Sequence, residues 1–165
     1  MKKFISCALA LSILLSCALF CSCASTGYSD TLSCADITNA LKREILADSE
    51  YTEYSPTEAK YVFDESDIFD SCSIIYSSAS DDVGEIGVFH AKTQDQATEL
   101  LKDAKQHISE EQKDKSEFLR NYLPSEVSKL ERADVRQYGN YVIYAILSPE
   151  EQNDVFSYIE KMLKK

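Results

Sequence analysis

The sequence predicts an α+β domain: a four-stranded antiparallel sheet built from two ββα units, with helices packed on one face and a further helix on the N-terminal side. Three observations carry this. Gly84–Ile108 and Gly139–Leu163 align without gaps, placing Gly84 on Gly139, Thr93 on Ser148, Leu100 on Val155 and Ile108 on Leu163. Each stretch reads as glycine, apolar strand, hydroxyl cap, then a helix with one apolar stripe. Each also follows a second short strand across a tight polar turn, the pattern of an antiparallel hairpin.

Residues 1–22 read as an export leader. Lys2 and Lys3 precede an apolar run from Phe4 to Cys21 that is diluted by Ser6, Ser12 and Ser16 and ends in small residues and cysteines. Phe20-Cys21-Ser22-Cys23 resembles a bacterial lipobox, which makes Cys23 the lipidated residue. Leu14-Leu15-Ser16-Cys17 fits the box itself better, but Cys17 would leave Ala18-Leu19-Phe20 next to the lipid, where a polar stretch is expected. Residues 23–32 are then the lipidated cysteine and a flexible tether, and 33–165 a single domain. Two acyl chains hold a protein firmly on a bilayer where one holds it marginally.

Loss of the leader removes Lys2 and Lys3 and no acid, leaving 15 bases against 28 acids, a formal charge of −13. So acidic a surface is repelled by nucleic acid and by anionic lipid, so membrane contact is expected through the anchor alone. Cys34 and Cys72 remain outside the leader, and an oxidising compartment leaves open whether they form a disulfide.

Along the domain, Ser33 caps a helix with Asp36 three residues on, and Ile37, Leu41 and Ile45 form its stripe. Asp48–Glu58 is polar, holds Pro56 and reads as a loop; Ala59–Phe63 is ambiguous. Strands follow at 71–78 and Glu85–Ala91. Thr93 opens a helix that runs to Tyr122, with a charged middle projecting beyond the sheet. Residues 124–131 suit another helical turn. A second hairpin turns at Gly139-Asn140. Ser148-Pro149-Glu150-Glu151 is the clearest helix start in the chain. Tyr141–Leu147 is apolar on both faces, which places that strand inside the sheet.

Three stretches, Glu85-Ile86-Gly87-Val88-Phe89-His90-Ala91-Lys92, then Tyr122-Leu123-Pro124-Ser125-Glu126 with Lys129-Leu130-Glu131, then Gly139-Asn140-Tyr141-Val142, resemble the small lipoproteins of Gram-positive bacteria known as domain of unknown function 4358. The resemblance spans Ile37–Leu163. It implies a lipoprotein context and brings no activity, cofactor or site residue.

Nucleophilic hydrolysis needs a base beside a serine or cysteine. Cys72 and His90 on paired strands are the candidate dyad, set against an inert thiol beside a half-buried histidine; no glycine-rich elbow accompanies them. Asp64, Glu65, Asp67 and Asp70 make an acidic loop suited to calcium, but without the glycine and distal glutamate of an EF-hand. Solvated turn residues are the plainer reading. No cofactor motif is present. The tyrosines divide into a hairpin set (Tyr138, Tyr141, Tyr144), expected in the core, and a loop set (Tyr51, Tyr54, Tyr61). Together these features point to a non-catalytic binding module with an envelope or extracellular partner. It would use the acidic loop and the tip of the long helix; a thiol hydrolase and a calcium sensor are the alternatives.

Overall fold

The computed structural model describes residues 27–62 and 68–165. The leader, Cys17, Cys23 and the acidic residues Asp64, Glu65 and Asp67 lie outside the described residues.

The chain runs α1 (Cys34–Glu44), β1 (Tyr51–Glu53), α2 (Pro56–Val62), β2 (Phe69–Ser77), β3 (Glu85–Ala91), α3 (Gln94–Tyr122), α4 (Val127–Glu131), β4 (Asp134–Tyr138), β5 (Tyr141–Ile146) and α5 (Pro149–Leu163). The sheet is antiparallel and five-stranded, in the order β1-β2-β3-β5-β4. It therefore exceeds the four strands expected: the polar stretch read as a loop contributes β1, paired through Thr52 and Tyr76 to the edge of β2. Pro56 does not break structure there but opens α2. Ser55 accepts the Glu58 amide at 3.3 Å, and the Glu58 carboxylate accepts the Ser55 amide at 2.8 Å.

The two ββα units are present and meet at the middle of the sheet. Val88 faces Ile143 across β3 and β5, and these residues correspond in the gapless alignment. The helices, however, lie on both faces, not one. α3 covers Ile74, Phe89, Val142, Tyr144 and Ile146 with Ala97, Leu100, Ala104 and Ile108. α1 and α5 cover Ile75, Ile86, Val88, Ile143 and Ala145 with Ile37, Leu41, Phe156 and Ile159. A strand apolar on both faces needs a layer on each side, and β5, all six residues buried, has one.

Caps fix the helix starts. The Ser33, Thr93 and Ser148 hydroxyls accept the backbone N–H three residues on, and Glu151 closes a full capping box. Gly139, with φ +62°, opens the two-residue turn between β4 and β5. With 29 residues α3 is about 43 Å long, roughly twice the length of β3. Its distal half is moored, however: Gln112 donates to the Leu130 carbonyl at 2.9 Å, and Leu119 is buried in the same apolar layer as Leu100 and Ile108.

Residues 27–32, expected to be flexible, lie along the body. Lys165 N–H donates to the Gly27 carbonyl at 3.0 Å, Ser29 N–H to Leu163 at 2.6 Å, and the Tyr141 hydroxyl to Leu32 at 2.6 Å. These contacts gather at the sheet end that holds His90, Tyr141 and Tyr138. Glu85, Tyr76 and Ile146 mark the opposite end.

Candidate functional site

The candidate dyad is not assembled. Cys72 pairs with Phe89, and His90 pairs with Ser71, so strand alternation sends the Cys72 and His90 side chains to opposite faces of the sheet. Burial and the nearby Glu53 raise the Cys72 thiol, which keeps it protonated. Cys34 packs in the core under α1 and donates weakly to Ser71; burial pushes it up to about 11. Both cysteines are free thiols on different sides of the sheet.

His90 is instead held by two carboxylates. Nδ1 lies 2.8 Å from Asp70 Oδ1 and Nε2 2.7 Å from Asp30 Oδ1, with the Tyr141 ring 4.7 Å away. An acceptor facing each ring nitrogen requires a proton on both, which is the imidazolium. Burial opposes that charge, but Asp70 and Asp30 outweigh it and raise the His90 pKa. The group fastens Asp30 to the sheet, helped by Asn140, which donates to Asp30 at 3.0 Å. It serves as a clasp.

Among the described residues, hollows border β2 at both ends. One, of about 560 Å³, is lined by Glu53, Tyr54, Phe69, Cys72 and Ile74; residues 63–67, which join its lining elements, are outside the described set. The other, of about 370 Å³, lies fully within the described residues at the Glu85 end of the sheet. Its floor is Glu85 at the start of β3. The register puts Tyr76 directly beside Glu85 and Gly87 beside Tyr144. A Cβ on Gly87 would come within 2.2 Å of the Tyr144 ring, so the glycine lets that ring lie against β3. From there the Tyr144 hydroxyl donates to Glu85 at 2.7 Å, and Tyr54 donates to the other oxygen at 3.4 Å.

Burial alone would push the Glu85 carboxyl up. The neighbouring His107 ring at 4.0 Å, the Tyr144 hydroxyl and the charge of Lys115 outweigh it and hold Glu85 ionised. Burial first, then Glu85 itself, raises both the Tyr54 and Tyr144 phenols, which stay protonated as donors.

The walls are aromatic. Tyr54 and Tyr76 stack at 4.3 Å, and Phe118 stands opposite on α3, 5.0 Å from Tyr122. Phe118 is 56% and Tyr122 71% exposed, the exposed large hydrophobic residues among those described. The β2–β3 connection forms the lip. Lys129 pairs with Asp82 at 2.8 Å and Glu126 at 2.9 Å, and Gly84 N–H donates to Asp82 at 2.7 Å.

Of the loop tyrosines, Tyr54 thus reaches the groove, while the side chain of Tyr61 lies outside the described residues. The hairpin tyrosines are buried as expected. Glu85 escaped the sequence reading, although an acid opening an otherwise apolar strand two residues before a glycine was a usable signal. Among the described residues no group of three or more His, Cys, Asp or Glu side chains is placed to hold a metal ion, and no helix is long and apolar enough to cross a membrane.

No curated protein and no solved structure matches the chain. Residues 47–147, from just before β1 to just past β5, match the family model described as Domain of unknown function (DUF4358). The groove of Tyr54, Tyr76, Glu85 and Phe118 falls wholly within that span, and the chain belongs to the DUF4358 family.

Proposed function

We propose that this protein is a lipid-anchored, extracytoplasmic, non-catalytic binding module that meets an envelope or extracellular partner at the Glu85 end of its sheet. The observation that carries the reading is the exposed Phe118–Tyr122 pair beside an aromatic-walled groove. Exposed aromatic side chains that border a pocket are what recognition surfaces use.

The position of the groove supports the anchored arrangement. Gly27 is tied to the C-terminus at the His90 end and lies four residues after Cys23. A lipid on Cys23 would hold that end within about 14 Å of the bilayer. The groove, at the far end of strands roughly 20 Å long, then faces away from the membrane. The formal charge of −13 after loss of the leader disfavours nucleic acid as the partner.

Two measurements test the reading. Cells fed labelled palmitate should label the wild-type chain and not Cys23→Ala. Full-length protein in neutral detergent should bind purified envelopes saturably, and Phe118→Ala with Tyr122→Ala should weaken that binding by about tenfold or more. An unlabelled wild type removes the anchor, and an absence of saturable binding removes the module.

A further inference from the structure

We infer that the Glu85 groove seats an organic ammonium group on an aliphatic chain, of the kind a lysine-type side chain carries, with the chain along the tyrosine faces and the charge towards Glu85. The inference rests on the binding reading above and gives its ligand a chemical class.

Charge comes first. β3 presents Glu85, the β2–β3 connection Asp82, and α3 Asp114 and Lys115. Asp82 is already committed to Lys129 and the Gly84 amide. Lys115 is ion-paired with Glu111 one turn away on α3. Glu85 has two phenols and, at 4.0 Å, the His107 ring. A phosphate or carboxylate ligand would meet Glu85 and Asp114, and Lys115, the cation that lines the groove, is already paired with Glu111. A wholly apolar ligand would cover an ionised carboxylate without bringing it a countercharge.

Shape gives the second argument. Aromatic faces attract cations within about 6 Å of the ring centroid and also bury methylenes. The stacked Tyr54–Tyr76 pair on one wall and Phe118 on the other offer such faces above one carboxylate. An ammonium on a short alkyl stem satisfies walls and floor together. Lys115, which lines the groove and acts on Glu85 electrostatically, is the chain's own competing cation.

The test is a two-dimensional NMR titration of the full-length protein in neutral detergent micelles. The probes are Nα-acetyl-lysine amide and its uncharged counterpart Nα-acetyl-norleucine amide. The lysine probe is expected to shift the amides of Tyr76, Glu85 and Phe118 saturably, at least about tenfold more tightly than the norleucine probe. Lys115→Met should tighten it, and Phe118→Ala should weaken it several-fold with the melting temperature unchanged. Equal binding of the two probes, or no saturable shift with lysine up to roughly 50 mM, overturns the proposal. Envelope binding that depends on Phe118 and Tyr122 while the lysine probe fails would overturn the ligand class and leave the module standing. Loss of both would overturn both.

Discussion

His90 Nε2 lies 2.7 Å from Asp30 Oδ1, a contact that joins the last residues before the domain to the end of β3. Asp70 holds the other nitrogen at 2.8 Å. The fold thus closes over its N-terminal segment through an imidazolium set between two carboxylates.

That clasp has a pH sign. The folded-state pKa of His90 lies above the unfolded value of about 6.5. Its contribution is fully present below that value and is lost as pH rises through the folded pKa. Backbone amides of Ser29 and Lys165, corrected for intrinsic exchange chemistry, should be most protected below the unfolded histidine value of about 6.5 and lose protection as pH rises through the folded pKa of His90. Asp30→Asn should flatten the profile. Protection that grows with pH would contradict the clasp.

Gly87 and Tyr144 cannot both keep their places if the glycine gains a methyl, because its Cβ would lie 2.2 Å from a ring that is fully buried. Gly87→Ala should cost about 1–3 kcal/mol, read by urea unfolding. Tyr144→Phe removes the hydroxyl that donates to Glu85 at 2.7 Å. It should cost about 1.5–3 kcal/mol and leave the backbone in place. A neutral result for both would mean that the ring does not lie against β3.

Two phenylalanines should behave oppositely. Phe156 is fully buried on α5 beneath the Arg136 guanidinium, 4.1 Å from its ring. Phe156→Ala should destabilise by about 3–5 kcal/mol. Phe118, 56% exposed, should tolerate alanine within about 0.5 kcal/mol. Chemical denaturation of the two variants separates a residue kept for packing from one kept for contact.

The thiols should be sluggish. Cys34 is pushed up to about 11 and Cys72 is raised, so both are protonated at pH 8. Iodoacetamide should label the native chain much more slowly than the urea-unfolded chain. Mild oxidation should leave the Cys34 and Cys72 thiols unbridged. Rapid native labelling of Cys72 would revive a thiol chemistry.

Much of the sheet was legible because its pairing is local. The hairpins turn on short polar segments, and the Thr93 and Ser148 caps stand at equal distances from Gly84 and Gly139. β1 was missed because it is an edge strand of three residues with little apolar alternation, held by pairing to β2. The start of α2 was readable: Ser55-Pro56-Thr57-Glu58 repeats the Ser-Pro-X-Glu pattern of Ser148–Glu151. The second helical layer follows from β5 being apolar on both faces, since each face then needs a cover. The pairing of Glu85 with Tyr144 and of Asp30 with His90 was beyond local reading, since these partners lie 59 and 60 residues apart along the chain.

As proposed above, the protein hangs by its Gly27 end and works at its Phe118 end. Photo-crosslinking in intact cells tests this arrangement most directly, with a benzophenone side chain placed at position 122 in one strain and at position 165 in another. The arrangement predicts crosslinks to a non-lipid envelope or extracellular partner from position 122 and crosslinks to membrane lipid from position 165. The reverse pattern, or lipid crosslinks from position 122 alone, would contradict it.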